Sequence, residues 1–119
     1  MAANPVIPTP TLKLATEKTA DAMIVRCVGR ITSATSSVLQ DTVRALIPEN
    51  SRIVLDLTSV EYVDSAGLGA LVSVYVSGRR GNCKIELVNL GQRIKDLLRI
   101  TRLASLFEGH EDMLGMTPD

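Results

Sequence analysis

Aromatic side chains and an excess of charge of one sign are what this chain of 119 residues lacks most clearly. Aromatic residues make up 3% of the sequence and tryptophan is absent, so the core has to be aliphatic and few rings are available for stacking on bases. Thirteen basic residues balance thirteen acidic ones, which argues against binding to nucleic acid or to anionic membranes. We therefore expect no nucleic acid among its partners.

Long apolar runs and cysteine motifs are also missing. No stretch approaches the roughly 20 apolar residues of a membrane span, and the first ten residues lack the basic and apolar regions of a secretory signal. Cys27 and Cys83 belong to no CxxC pair. Isolated cysteines of this kind are most often buried as small hydrophobic side chains. The sequence predicts a cytoplasmic protein with no direct membrane insertion.

Groups for catalysis are scarce. His110 is the one histidine, and no zinc, calcium, P-loop or GxSxG motif is present. A solvated surface side chain is the simplest interpretation of His110. We expect no catalytic residues, no metal, no cofactor and no enzymatic activity.

The pattern of apolar residues predicts alternating strands and helices. Three prolines within residues 1–10 predict a flexible N-terminal tail, and residues 11–119 are expected to form one domain. Residues 11–17 and 23–28 read as two strands of an antiparallel hairpin, the second closed by a glycine. Residues 52–57 form a near-continuous apolar run that is typical of an interior strand, and residues 83–87 alternate as a further strand.

Helices are predicted between these strands. Thr32 and Ser33 are expected to cap a first helix that stops at Pro48, and Gly91 to open a third. The second helix has its apolar face at Leu68, Leu71, Val72, Tyr75 and Val76. A last apolar cluster is expected at Leu103, Leu106 and Phe107, with a short helix over residues 111–114. The core residues predicted from the whole pattern are Leu55, Leu57, Leu68, Leu71, Val72 and Ile85.

This order of elements predicts an α/β fold: a single domain with a four- to five-stranded mixed sheet covered by about four helices. The candidate functional segment of this fold is the run from Tyr62 to Gly69, where the predicted buried strand is followed by the second helix. Ser65 stands at the start of this helix, where free N–H groups favour an anion. Gly67 and Gly69 let another backbone or a phosphate come close, although each costs a helix roughly 1 kcal/mol. A purely structural role, an N-cap at Asp64 or Ser65 with close helix–sheet packing, remains open from spacing alone.

Two segments resemble the STAS family, in particular its anti-sigma-factor antagonists. They are Ile-Val-Leu-Asp-Leu at 53–57 and Val-Asp-Ser-Ala-Gly-Leu-Gly at 63–69. The Gly-Arg-Ile turn at 29–31 and the apolar residues at 94–98 and 106–107 fit the same resemblance. It extends over about residues 11–115.

The resemblance implies a domain that performs no chemistry itself. In such proteins the serine after the aspartate is phosphorylated by an anti-sigma factor that is also a serine kinase, and only the unphosphorylated form binds this kinase and frees the sigma factor. Transferred to this chain, Ser65 is the phosphorylation site and transcription is the process regulated. The implied partner-binding residues are Asp64, Ala66, Gly67, Leu68, Gly69, Thr32 and Ser33.

The chain departs from the family pattern at Thr32. Many antagonists have aspartate there, and the resemblance associates that acid with the surface facing the kinase. Two other roles known in the family, a subunit of a phospholipid-transport complex and a scaffold in a signalling assembly, remain alternatives. Ser65 favours the antagonist, because transport subunits often have threonine at this position. Whether two copies form a homodimer is left open.

Overall fold

The computed structural model describes residues 11–102. They form a mixed α/β fold whose elements follow one another in the order β1 (Leu12–Lys18), β2 (Met23–Ile31), α1 (Ser36–Leu46), β3 (Arg52–Val63), α2 (Ser65–Arg80), β4 (Lys84–Val88) and α3 (Gln92–Ile100). A short 3₁₀ helix, Ile47–Glu49, follows α1. The tail at 1–10, the cluster at Leu103, Leu106 and Phe107, the helix at 111–114 and His110 lie outside the described residues. The division into a tail and a domain over residues 11–119 stays a prediction.

The four strands form one sheet in the order β1-β2-β3-β4. The β1–β2 pair is antiparallel, which confirms the hairpin, and the β2–β3 and β3–β4 pairs are parallel. The run at 52–57 therefore lies in an interior strand, as predicted. Within residues 11–102, no helix combines the length and the apolar character needed to cross a membrane.

Two strands are longer than their apolar runs. β2 continues through Gly29 to Ile31, and β3 continues from residue 57 to Val63. The register between them shifts twice, and such bulges accommodate extra residues in one strand. The polar, exposed part of β3 gave no apolar signal, so its pairing with β2 could not be recognised from the pattern. The extension carries β3 to the start of α2.

The core lies between the helices and one face of the sheet. Ile53, Leu55 and Leu57 point to this face, and each is at most 1% exposed. Leu68, Leu71 and Ile85 are buried too, as predicted. The free cysteines Cys27 and Cys83 are both buried, which confirms their role as small hydrophobes. α3 adds Ile94 and Leu98 to the same cluster.

The buried face of α2 differs from the predicted one. Val72 and Tyr75 are only half-buried and Val76 is 40% exposed, so placing Val72 in the core was wrong. The residues that α2 buries are Gly67, Leu68, Ala70, Leu71, Val74 and Gly78. Three of these residues are small, and at its glycines the backbone of α2 packs close to the sheet. An ideal Cβ at Gly78 would lie 2.4 Å from Ile85 Cγ1.

Candidate functional site

The candidate site lies at the edge of the sheet where β2 and β3 end side by side. Ile31 pairs with Val63, so the residues that follow each strand emerge together. Ser65 is the first residue of α2, as the sequence predicted, and its side chain is exposed. The hydroxyl is therefore presented to solvent at the positive end of a 16-residue helix.

Asp64 is the N-cap of this helix. Its backbone is extended (φ −96°, ψ −175°), and its Oδ1 accepts a hydrogen bond from Gly67 N at 2.7 Å. Its Oδ2 lies 3.4 Å from Ser33 N, which donates from the loop after β2. Asp64 N donates to Ile31 O at 3.3 Å. The half-buried Asp64 thus contacts both chain segments of the site.

Gly67 and Gly69 differ in what surrounds them. An ideal Cβ at Gly67 would lie 1.9 Å from Ile31 O, a distance that no side chain tolerates, so this glycine lets α2 rest on the end of β2. A Cβ at Gly69 would meet no heavy atom within 4 Å. Packing thus requires Gly67, whereas nothing in the described fold requires Gly69.

The loop between β2 and α1 is held by its threonines, in a way that corrects the predicted caps. α1 begins at Ser36 with Thr35 as N-cap, and no side chain caps it, so Thr32 and Ser33 do not cap this helix. Thr32 Oγ1 instead accepts from Ala34 N at 3.2 Å, while the Thr32 carbonyl oxygen accepts from the backbone N–H groups of Thr35 and Ser36. Residues 32–35 thus form a turn, and the helix begins only after it.

Thr35 was not predicted from the sequence to have a role at this site, but its hydroxyl makes two hydrogen bonds in the loop. Its Oγ1 accepts from Thr32 N at 2.9 Å and donates to Arg30 O at 2.7 Å. The Thr-x-x-Thr spacing was the signal available, because a hydroxyl three residues away can return to the backbone of a turn. The structure consequently gives the loop a defined shape.

Of the predicted site residues, four are exposed, three are buried and Asp64 is half-buried. Ser33, Ser65, Ala66 and Gly69 are exposed and share this edge of the sheet. The buried ones are Thr32 (7% exposed), Gly67 and Leu68 (5%). The buried residues shape the surface from beneath, whereas the exposed residues and part of Asp64 are accessible from outside.

Two further contacts of charged residues lie close to this edge and had no signal in the sequence. Arg93 Cζ lies 5.3 Å from the centre of the Tyr62 ring, within range of a cation–π interaction. Arg30 Nε lies 4.0 Å from a Glu61 carboxylate oxygen, and both side chains are exposed. The extension of β2 and β3 brings Arg30 next to Glu61, and α3 brings Arg93 next to Tyr62.

Asp56 connects β3 to the segment after β4. It accepts from Thr58 Oγ1 at 2.6 Å, from Thr58 N at 3.0 Å and from Asn89 Nδ2 at 3.1 Å. Burial by itself would raise the pKa of Asp56, but these hydrogen bonds outweigh it and hold the pKa below its ordinary value. The carboxylate therefore stays charged and holds the Asn89 side chain next to β3.

The two thiols, unlike those of reactive cysteines, have raised pKa values. Burial raises the pKa of Cys27 to about 12, with a smaller contribution from the negative charge of Asp56. Burial also raises the pKa of Cys83. A thiol with a raised pKa is a weak nucleophile near neutral pH. Among residues 11–102, no group of three or more His, Cys, Asp or Glu side chains is placed to hold a metal ion.

The fold and the site thus define a small α/β domain that presents a serine at a helix start, and sequence comparison supplies its family. The profile of the STAS domain family matches residues 13–113, and the chain belongs to this family.

Curated relatives are similar over most of their length. The chain is 29% identical to the anti-sigma-B factor antagonist of Listeria monocytogenes over 93 residues, which are 77% of this chain and 82% of that protein. It is 27% identical to the anti-sigma-B factor antagonist of Bacillus subtilis over 84 residues, 71% of this chain and 77% of the relative. These relatives support a role as an anti-sigma factor antagonist.

Solved structures confirm the fold. The crystal structure of an anti-sigma factor antagonist from Mycobacterium paratuberculosis superimposes with a TM-score of 0.73 at 22% identity, covering 82% of this chain and 84% of the other.

Proposed function

We propose that this protein is an anti-sigma factor antagonist controlled by phosphorylation of Ser65. In its unphosphorylated form it binds an anti-sigma factor that is a serine kinase, and the sigma factor is released. Phosphate on Ser65 ends this binding. The protein acts in the cytoplasm, where transcription takes place, and needs neither a cofactor nor catalysis of its own.

The observation that carries the proposal is the position of Ser65. Its hydroxyl is exposed on the first residue of α2, so that a kinase can reach it without unfolding the domain. Asp64 and Gly67, which surround it in sequence, are engaged in the fold itself. A modification of Ser65 can thus alter the surface without altering the core.

The expected partner surface consists of Ser65, Ala66 and Gly69 on α2 together with Ser33 on the neighbouring loop. Asp64, Gly67, Leu68 and Thr32 shape this surface from within. One copy of the chain carries the whole proposed surface, and a homodimer remains a separate hypothesis.

Electrostatics explains how one phosphate can end binding without a conformational change. Phosphoserine carries about −1.5 to −2 charges at pH 7. In the free protein the helix start offsets part of its repulsion with Asp64, by roughly 0.3–2 kcal/mol, and water screens the rest. An interface excludes that water, so two like charges about 6 Å apart at an effective dielectric of about 20 repel by roughly 3 kcal/mol. This corresponds to about a hundredfold loss of affinity.

The test begins with the intact mass of the protein after incubation with ATP and each candidate serine-kinase anti-sigma factor of the same genome. We expect one added phosphate on the wild type and none on Ser65→Ala, which stays folded and still binds the kinase. Ser65→Asp is expected to stay folded and to bind weakly. Full phosphorylation of Ser65→Ala, or wild-type affinity of Ser65→Asp, would place the switch at another residue.

A further inference from the structure

We propose that Asp64 is a positioning residue, whose carboxylate holds the loop at residues 32–35 against the first turn of α2. The kinase then meets Ser33 and Ser65 as parts of one surface. This inference rests on the proposed function, because the kinase is the partner to which the surface is presented.

Both oxygens of the carboxylate have a backbone donor. Oδ1 accepts from Gly67 N inside α2, and Oδ2 is within hydrogen-bond reach of Ser33 N in the other segment, 31 positions away in sequence. The first contact caps the helix and the second joins the helix to the loop. One side chain therefore has two separable tasks.

Further contacts show that the two segments meet at this point. Asp64 N donates to the Ile31 carbonyl oxygen, and the missing side chain of Gly67 allows the helix to rest on that same carbonyl. The loop keeps its own shape through the hydroxyl of Thr35. Asp64 thus has little to do with the shape of the loop, and its contact with Ser33 fixes where the loop lies relative to Ser65.

The charge of Asp64 is accordingly directed at the protein's own backbone. The family resemblance placed Asp64 among the residues that contact the partner. The hydrogen bonds instead assign it an indirect role, in which the exposed Ser33 and Ser65 touch the kinase and Asp64 sets the spacing between them.

Asparagine separates the two tasks. Its single carbonyl oxygen can still accept from Gly67 N, and asparagine is as good an N-cap as aspartate. Its amide nitrogen is a donor and cannot accept from Ser33 N. Asp64→Asn should therefore keep the helix cap and lose the link to the loop. Asp41→Asn is the matched control, because it removes the same charge from an exposed position on α1.

The experiment measures amide hydrogen exchange at Ser33 and Gly67, and the affinity for the kinase that phosphorylates the wild type. For Asp64→Asn we expect about tenfold faster exchange at Ser33 and about tenfold weaker kinase binding, the scale of one lost charge-assisted hydrogen bond. Exchange at Gly67 should rise less than at Ser33, because this hydrogen bond is kept and loses only its charge. Asp41→Asn should change none of the three.

Wild-type exchange at Ser33 in Asp64→Asn would refute the link itself. Faster exchange with wild-type affinity would refute the role of the link in binding. If Asp64→Asn does not fold, Asp64→Ser serves instead, since serine caps a helix but is too short to reach the loop. If no kinase binds the wild type, the proposed function fails together with the binding half of this inference, while the exchange rates still decide the link.

Discussion

The two faces of α2 differ in their packing: one is buried against the sheet and the other is exposed. The inner face buries Gly67, Leu71 and Gly78 against the sheet, and its glycines stand where a Cβ would collide with neighbouring atoms. The outer face carries Ser65 and Gly69, which touch little of the described fold. Glycine on the inner face is thus explained by packing, whereas glycine on the outer face costs stability with no packing in return. The residues of the inner face therefore stabilise the fold, whereas the residues of the outer face are available to a partner.

The largest expected effect is that of Gly67→Ala. The added methyl group would overlap with the Ile31 carbonyl oxygen, so α2 or β2 must move. We expect a loss of about 4–5 kcal/mol in the free energy of unfolding, at the upper end for single substitutions. Urea titration measures this loss, and a cost below about 1 kcal/mol would contradict the close approach of helix and strand.

Leu71→Ala also tests the inner face, but it removes buried atoms and leaves a cavity, whereas Gly67→Ala adds a methyl group. Leu71 is fully buried, and its truncation should cost about 2–5 kcal/mol. Val76→Ala on the outer side is the control and should change stability by about 0.5 kcal/mol or less. Equal losses for the two variants would mean that the helix is oriented differently.

A third prediction concerns pH and a carboxylate of the sheet. Glu86 has a side chain that is 4% exposed and accepts from Arg52 at 2.7 and 3.0 Å, with Lys84 at 3.2 Å. Burial alone would raise the pKa of Glu86, but the hydrogen bonds and charges of Arg52 and Lys84 hold it below its ordinary value. Ionised Glu86 thus stabilises the fold above the unfolded-state pKa of about 4.3, and this contribution is lost as the pH falls through the folded-state pKa.

Glu86→Gln should therefore lose about 1–3 kcal/mol at pH 7, and its deficit relative to the wild type should shrink in acid. Urea titrations between pH 7 and pH 3 measure this convergence. A deficit that stays constant over this range would show that the charge of Glu86 contributes nothing. Ser65→Ala is the companion variant and should follow the wild-type pH profile throughout.

The smallest effect on stability is expected on the outer face, and it has the opposite sign. Gly69→Ala should stabilise the fold by about 0.5–1 kcal/mol, because the helix gains propensity and the methyl group meets only open space. Because Gly69 lies on the proposed partner surface, the added methyl group should also weaken binding to the proposed kinase. A destabilised Gly69→Ala would remove the contrast between the two faces.

The sequence predicted the fold class and the place of Ser65 because both follow from strong local patterns. The apolar runs at 23–28 and 52–57 locate two neighbouring strands, and the Asp-Ser start of α2 follows a buried strand. The inner face of α2 was predicted only in part, at Leu68 and Leu71, since periodicity counts large side chains and this helix also buries small ones such as Ala70. The prediction for residues 32–35 was wrong because hydroxyl side chains favour helix caps and turns alike, and here the Thr35 hydroxyl closes a turn before the helix.

The sequence places the candidate site residues next to one another, but it does not show which of them pack and which are exposed. Asp64, Ser65, Gly67 and Gly69 stand together in the sequence, and nothing there distinguishes the glycine that packs from the one that does not. The link between Asp64 and Ser33 crosses 31 positions and depends on the two strands ending side by side. Only the tertiary structure brings such groups together.

In the proposed function, Ser65 switches binding from the outer face of α2 while the fold stays the same. The direct test is a calorimetric titration of the proposed kinase with unphosphorylated and with Ser65-phosphorylated protein, next to urea titrations of both forms. We expect about a hundredfold weaker binding of the phosphorylated form. We also expect its free energy of unfolding to lie within about 1 kcal/mol of the unphosphorylated value. Equal affinities of the two forms would show that phosphate on Ser65 does not control binding.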